Sequence, residues 1–330
     1  MWRRSASGAD RSRAGLGWLL RRIGWLLGSL VVAASAVFLL LRVLPGDPAV
    51  TLLGIGSSPE QYDAVRRQLG TDRPLLAQYV DWFGGLLTGD LGEGLFTRTP
   101  VLDQITERLP VTLPLALSAF VASALVAVPV GVLAAVRRRG LLGVVLSGLA
   151  QLGIALPVFW LGILLVWLVA VRWRLLPPGG FPRVGWRDPG GAVESLVLPV
   201  LTLTVAQASL LIRYVRSATL DVLHQDYLRT ARSLGYSLPR ALWRHGLRNG
   251  AAPVVNVLGV LLASSLLGTV VIESVFALPG LGTLLLSSVQ ARDLPVVQGT
   301  VFLMTATVLL VGLVVDVVQR LIDPRLRGRA

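Results

Sequence analysis

The chain has no cysteine among its 330 residues, which removes disulfides, thiolate nucleophiles and cysteine-ligated metal sites together. Lysine is absent as well, since all 31 basic residues are arginine. A nucleotide-binding P-loop ends in Gly-Lys-Ser/Thr because its ammonium must reach the β- and γ-phosphates, so this polypeptide carries none. The two histidines, His224 and His245, match no zinc spacing, and no Gly-x-Ser-x-Gly or Ser-x-x-Lys pattern supplies a hydrolase nucleophile. Both histidines read as structural. Charge is also scarce, at 15%.

What remains is apolar. Hydrophobic residues make up 54% of the chain, more than a single soluble core of this size normally hides. Uncharged runs of about 20 residues, the length that spans ~30 Å of hydrocarbon as helix, occur at Ile23 to Leu41, Val111 to Val136, within Leu141 to Val171, Leu196 to Ile212, Val254 to Ile272 and Val296 to Val315. The fourth is the weakest, and Pro157 predicts a kink or a non-spanning start in the third. The runs do not alternate, which argues against a β-barrel. Arg21-Arg22 and Ala34-Ser35-Ala36 resemble a signal peptide, but the apolar run continues through Val37 to Leu41.

A net charge of +13 would suggest nucleic acid for a soluble chain. Here the arginines separate apolar runs, and topology explains them better. With the N-terminus inside, cytoplasmic segments hold 20 arginines and outside segments ten, with Arg42 at a membrane edge. Nine acids fall in the single outside loop from Asp47 to Glu107. The expected organisation is a cytoplasmic segment 1–22, a first transmembrane helix 23–44, an extracytoplasmic loop 45–110, a five-helix core 111–319 containing a cytoplasmic loop 217–252, and a cytoplasmic tail 320–330.

That inner loop predicts two short amphipathic helices. Tyr227, Ala231 and Leu234 fall on one face of the first, and Gly235 is its C-terminal stop. Ser237 is positioned to cap the second, with Pro239 in its first turn. Ala241, Leu242, His245 and Leu247 form its apolar side and Arg240, Arg244 and Arg248 its basic one. Two helices hinged at a glycine make a knob suited to a groove on another protein; the arginines also suit anionic lipid.

At this loop the chain resembles the permeases of binding-protein-dependent ABC importers. Asp226-Tyr-Leu-Arg-Thr-Ala-Arg-x-x-Gly235, then His245-x-Leu-Arg-Asn249 and Pro253, resembles the membrane subunit of the dipeptide, oligopeptide, nickel or glutathione branch. Leu44-Pro-Gly-Asp-Pro48, Leu69-Gly-x-Asp72-x-Pro74, Gly89-Asp-Leu-Gly92, Leu278-Pro-Gly-Leu-Gly282 and Arg292-Asp-x-Pro-Val-Val-Gln-Gly299 follow the same branch in the same order. The resemblance covers about Arg21 to Pro324.

The resemblance implies an all-α polytopic membrane protein with six transmembrane helices in the type I ABC importer permease (MetI-like) architecture. It implies a first span kept as an anchor in the cytoplasmic membrane of a prokaryote. The implied partners are a homologous second permease subunit, two cytoplasmic ABC ATPase subunits, an extracytoplasmic substrate-binding protein and membrane lipid, with no nucleic acid. No cofactor is expected on this chain, with ATP and Mg used by the partner subunits. The implied ATPase-docking residues are Tyr227, Arg229, Thr230, Ala231, Leu234, Gly235, Leu242, His245, Leu247, Arg248 and Asn249. Where the wider superfamily often has Glu-Ala-Ala, this chain has Arg229, Thr230 and Ala231, so no acidic docking contact carries over.

Two carboxylates stand at apolar runs, where acids are often functional. Glu273, at the outer end of the fifth run, is a candidate for the translocation path. Asp316 lies four residues before Arg320, a spacing that allows a neutralising pair. Were both to face a bundle interior, a proton-coupled secondary transporter would be the alternative function.

Overall fold

The computed structural model describes residues 8–43 and 46–322; within them, the side chains of 8–16, 245, 247–252 and 321–322 are not described. Thirteen α-helices are present among the described residues and no named strand. α1 (Gly8–Val43) is followed by three short helices, α2 (Pro48–Leu53), α3 (Pro59–Leu69) and α4 (Leu75–Thr88). α5 (Val101–Val136), α6 (Leu141–Ala155), α7 (Val158–Leu165) and α8 (Pro189–Leu223) build the next part. α9 (Asp226–Ser233), α10 (Leu238–Ala241), α11 (Leu247–Val275), α12 (Leu281–Ala291) and α13 (Leu294–Ile322) complete the chain.

Five helices, α1, α5, α8, α11 and α13, are long and apolar enough to cross a membrane. The bent pair α6 and α7 makes a sixth span if taken as one. The bend is 104° and falls where Pro157 denies a backbone donor and pushes Leu156 into the extended region, at ψ 131°. Beyond α7 the backbone widens into a π-helical stretch, Val166–Arg172. The run expected from Val111 begins a further ten residues earlier, because α5 carries Pro110, Pro114 and Pro129 inside one continuous helix. Neighbouring helices and side chains make such prolines tolerable in membrane helices.

The centre of the bundle is the packing of α5 against α8. Ala116, Ala119, Ser123, Ala127 and Gly131 recur every three or four residues along α5 and are buried, a small-residue seam that lets two backbones approach. A Cβ at Gly131 would stand 2.7 Å from Val215 Cβ and 3.0 Å from the Ile212 carbonyl oxygen of α8. The fourth apolar run, weakest in sequence, is thus the most enclosed span: 61% of its apolar window is buried, against 6% for α13. A helix surrounded by protein rather than lipid can carry Thr202, Thr204, Gln207 and Ser209. Gln207 Nε2 donates to Ser265 of α11 at 2.7 Å, and its Oε1 accepts from the Ser123 hydroxyl of α5 at 3.4 Å.

α1 and α13 pack side by side in opposite directions. Near one end Arg22 pairs with Asp316 at 2.9 Å. Near the other, Trp82 of α4 lies between Phe38 of α1 and Phe302 of α13, at 5.9 and 6.2 Å between ring centroids. The segment between α1 and α5 thus carries the three short helices α2 to α4, the last ten residues of the expected 45–110 loop belong to α5, and α4 is fastened to the first and last spans by aromatic contacts.

Candidate functional site

The polypeptide leaves α8 at Leu223 and turns through His224 and Gln225 into α9. His224 is tied to its own helix by Nδ1 and the Leu220 carbonyl oxygen at 2.7 Å. The Arg138 guanidinium of the α5–α6 turn lies 3.4 Å from its Nε2. α9 ends where Gly235 takes φ +88° and the Tyr236 N–H returns to the Ala231 carbonyl at 3.2 Å, a left-handed stop that glycine adopts without Cβ strain. Ser237 occupies the next N-cap with Pro239 behind it, but its side chain makes no capping hydrogen bond.

The second element is not a free-standing short helix. α10 passes through a π-helical stretch, Leu242–Gly246, directly into α11. A Cβ at Gly246 would lie 3.0 Å from Val222 Cγ1 of α8, so the knob is clamped between the ends of two spans. It has its own core: Leu228, Ala231 and Ala241 are buried, surrounded by Leu223, Tyr227, Tyr236, Leu238 and Leu242.

That core revises the expected face. Ala231 points inward with Leu228, a residue the helical-face reading passed over, and Tyr227 and Leu242 are partly buried beside them. Leu234 does not share this side; it is 73% exposed. Trp243, also missed, is 78% exposed. Its signal in the sequence was its place beside the inward Leu242 on a helix. Arg229 is exposed and lies 3.7 Å from the exposed Asp226, and Thr230 bonds back to the Asp226 carbonyl. Arg240 stacks its guanidinium 5.5 Å from the Tyr236 ring centroid. The expected contributions of His245, Leu247, Arg248 and Asn249 fall on side chains outside the described residues.

At the other end of α11, Glu273 is fully buried. Its Oε1 accepts from Thr112 of α5 at 2.6 Å. Its Oε2 accepts the Gly282 N–H at 2.6 Å and, more weakly, the Thr283 N–H at 3.4 Å. Thr112 in turn accepts the Leu281 N–H at 2.8 Å. These are first-turn donors of α12, which have no partner inside the helix. Gly280 and Gly282 leave room for the carboxylate: a Cβ on Gly280 would collide with it, and one on Gly282 would sit 2.9 Å from Oε2. Glu273, a candidate for the translocation path, caps a helix from a distance, with no exposed atom in this arrangement.

Asp316 also departs from expectation. Its ion pair in the structure runs across helices to Arg22, while Arg320 lies 4.3 Å from the Trp18 ring centroid. A further acid was not anticipated. Asp293, in the turn between α12 and α13, is buried and accepts the Leu95 N–H with both oxygens, at 3.1 and 3.0 Å. The segment between α4 and α5 is thereby held to the turn between the last two helices.

Residues 127–328 match the model of the binding-protein-dependent transport system inner membrane component, and residues 16–116 match the N-terminal model of that membrane component. The chain is 41% identical over 310 residues to a putative peptide transport system permease protein of Brucella abortus, covering 94% of this chain and 98% of the relative. It is 36% identical over 337 residues to the dipeptide transport system permease protein DppB of Escherichia coli K12, covering 95% and 99%. A chain of the MetNI methionine ABC transporter, solved in inward-facing conformations, superposes with a TM-score of 0.55 at 18% identity, over 67% of this chain and 97% of that one; this likeness concerns the fold alone. The peptide-permease relatives, matched over nearly their whole length, favour the ABC importer reading over a proton-coupled carrier, and Glu273, buried as a helix cap, supplies the carrier no open acid. By both its family models and its full-length relatives, the chain belongs to the inner membrane components of binding-protein-dependent transport systems, as the permease subunit of an ABC importer.

Proposed function

We propose that the chain forms half of a peptide translocation path and receives its power through the knob from Asp226 to Gly246. The supporting observation is that Leu234 and Trp243 stand exposed on an element whose own core is already closed. Apolar side chains left outside such a core suit a groove on a partner. ATPase subunits are the fitting partner, since the lysine-free chain has no P-loop of its own. ATP and Mg are then used only on those subunits, and this chain hydrolyses nothing itself.

The knob follows α8 after a two-residue turn, runs through the π-helical stretch directly into α11, and packs Gly246 against Val222 of α8, so a displacement applied there is passed to both spans. At their far ends sit the Thr112–Glu273 cap and α12, which would shift with them. Alternating access by rigid helices needs such a linkage. The arginine bias supports a cytoplasmic side for the knob and both termini. A homologous second permease would close the path, two ATPase subunits would engage the two knobs, and a substrate-binding protein would deliver cargo at the outer loop and Leu278 to Gly282. Peptide cargo rests on the names of the relatives.

The test is co-purification of the full chain with its ATPase subunits. Leu234→Asp and Trp243→Asp are expected to abolish assembly while leaving the melting temperature of the isolated chain unchanged. Retained assembly in the double variant overturns the docking assignment. Peptide uptake into vesicles loaded with ATP, dependent on the binding protein outside, tests the cargo.

A further inference from the structure

Where α1 ends and α13 begins, two adjoining cavities of about 230 and 340 Å³ share Arg42, Glu93, Pro295 and Gln298 as lining. Trp82 and Phe38 line the first. Its polar groups are unevenly served. Gln298 is only 8% exposed, yet its Nε2 has no hydrogen-bond partner, and neither has the Trp82 indole N–H. Buried donors are nearly always satisfied, by protein or by something bound. Arg42 lies 5.2 Å from the Phe38 ring centroid, and among the described residues no carboxylate stands within ion-pair distance of it.

Three acids line the first cavity, but two are engaged. Asp81 pairs with Arg73, and Asp90 accepts the Gly92 N–H at 2.8 Å. Glu93 is exposed and faces both cavities. The crevice thus offers the Arg42 guanidinium, two unsatisfied N–H donors and the Glu93 carboxylate, with no ion pair between Arg42 and Glu93, and a second cation, Arg98, lines the second cavity. A ligand with an anion and an ammonium a few bonds apart satisfies both sets. Its surroundings point to the source. On the same turn of α1, Leu39, Leu40 and Val43 are exposed, an apolar flank at the end of a span, and tryptophan and arginine are typical of the membrane–water boundary.

We propose that this crevice binds the headgroup of an amine-bearing zwitterionic phospholipid. The phosphate is held by Arg42, Trp82 and Gln298, the ammonium by Glu93, and the acyl chains lie along the exposed flank of α1. Such a lipid fills the gap between the first and last spans and the outer loop.

The experiment is native mass spectrometry of the purified full chain, equilibrated with equal amounts of phosphatidylethanolamine, phosphatidylcholine and phosphatidylglycerol. One phosphatidylethanolamine per chain is expected to persist. Arg42→Gln is expected to lower its retention about tenfold, the loss of one charge-assisted contact. Glu93→Gln, at an exposed position, keeps a lipid but removes the preference for ethanolamine over choline. Gln298→Leu lowers retention yet raises the melting temperature of the delipidated chain, since it deletes an unpartnered buried amide. Arg187→Gln, on the exposed loop before α8, changes nothing. Retention unaffected by both Arg42→Gln and Gln298→Leu, or equal retention of phosphatidylglycerol, overturns the proposal. So does displacement of the lipid by excess zwitterionic dipeptide, which would make the crevice a peptide subsite.

Discussion

Thr112 of α5 and Glu273 of α11 close on one helix terminus, the hydroxyl donating to the carboxylate at 2.6 Å while accepting the Leu281 N–H. The start of α12 is therefore capped by two other helices rather than by its own N-cap, Gly280, which has no side chain to offer. α5, α11 and α12 are locked at a single point. Because the capping groups are buried, removing either one leaves donors without water to replace it.

Glu273→Ala is expected to lower stability by about 2–3 kcal/mol, since several N–H and O–H groups lose their acceptor in a buried site. Thr112→Val, which keeps the shape, should lose about half as much. Thermal unfolding of the detergent-solubilised chain measures both, and a melting temperature unchanged in Glu273→Ala would contradict the cap.

Gly131→Val places methyl groups against Val215 and the Ile212 carbonyl, in the seam between α5 and α8. Overpacking of this kind costs about 1–3 kcal/mol. Gly148→Val, where a Cβ meets nothing within 4 Å, serves as the comparison and should cost less. Similar melting temperatures for the two variants would argue against close approach at Gly131.

Inside the knob, Leu228→Ala empties a buried position and should cost about 2–5 kcal/mol locally. Leu234→Ala, at an exposed one, should stay within about 0.5 kcal/mol. Hydrogen exchange of the amides in α9 reads the difference. Gly235→Ala, forced to φ +88°, should add about 1 kcal/mol of strain to the turn. Equal protection in the Leu228 and Leu234 variants would remove the inner core described for this element.

Asp293→Asn keeps the size of the side chain but turns a charged double acceptor into a neutral single one. Weakening of about 1 kcal/mol is expected at the Leu95 N–H. Limited proteolysis between Gly92 and Thr99 should then run faster than in the parent chain, while cleavage elsewhere is unchanged.

The apolar runs were legible because a membrane helix must satisfy its backbone internally and cover itself with apolar side chains, a requirement written residue by residue. The Pro157 break and the Gly235 stop were legible for a similar reason: each follows from the covalent geometry of one residue. Missing lysine settled the absence of a P-loop in the same direct way. Tertiary structure alone decided which side of each helix meets protein. Period 3.6 placed Leu234 with Ala231, but only the packing of α9 against α10 showed that Leu228 is the inward residue and that Leu234 and Trp243 are left outside. Local pattern likewise read Glu273 as an acid at the end of an apolar run. Its partners lie 161 residues away at Thr112 and across a turn at Gly282, and hydrogen bonds between distant segments exist only once the chain has brought them together. Spacing offered Arg320 to Asp316, whereas the antiparallel register of α1 and α13 supplied Arg22. Charges on one helix can be paired by counting, but charges on two helices are paired by how those helices pack.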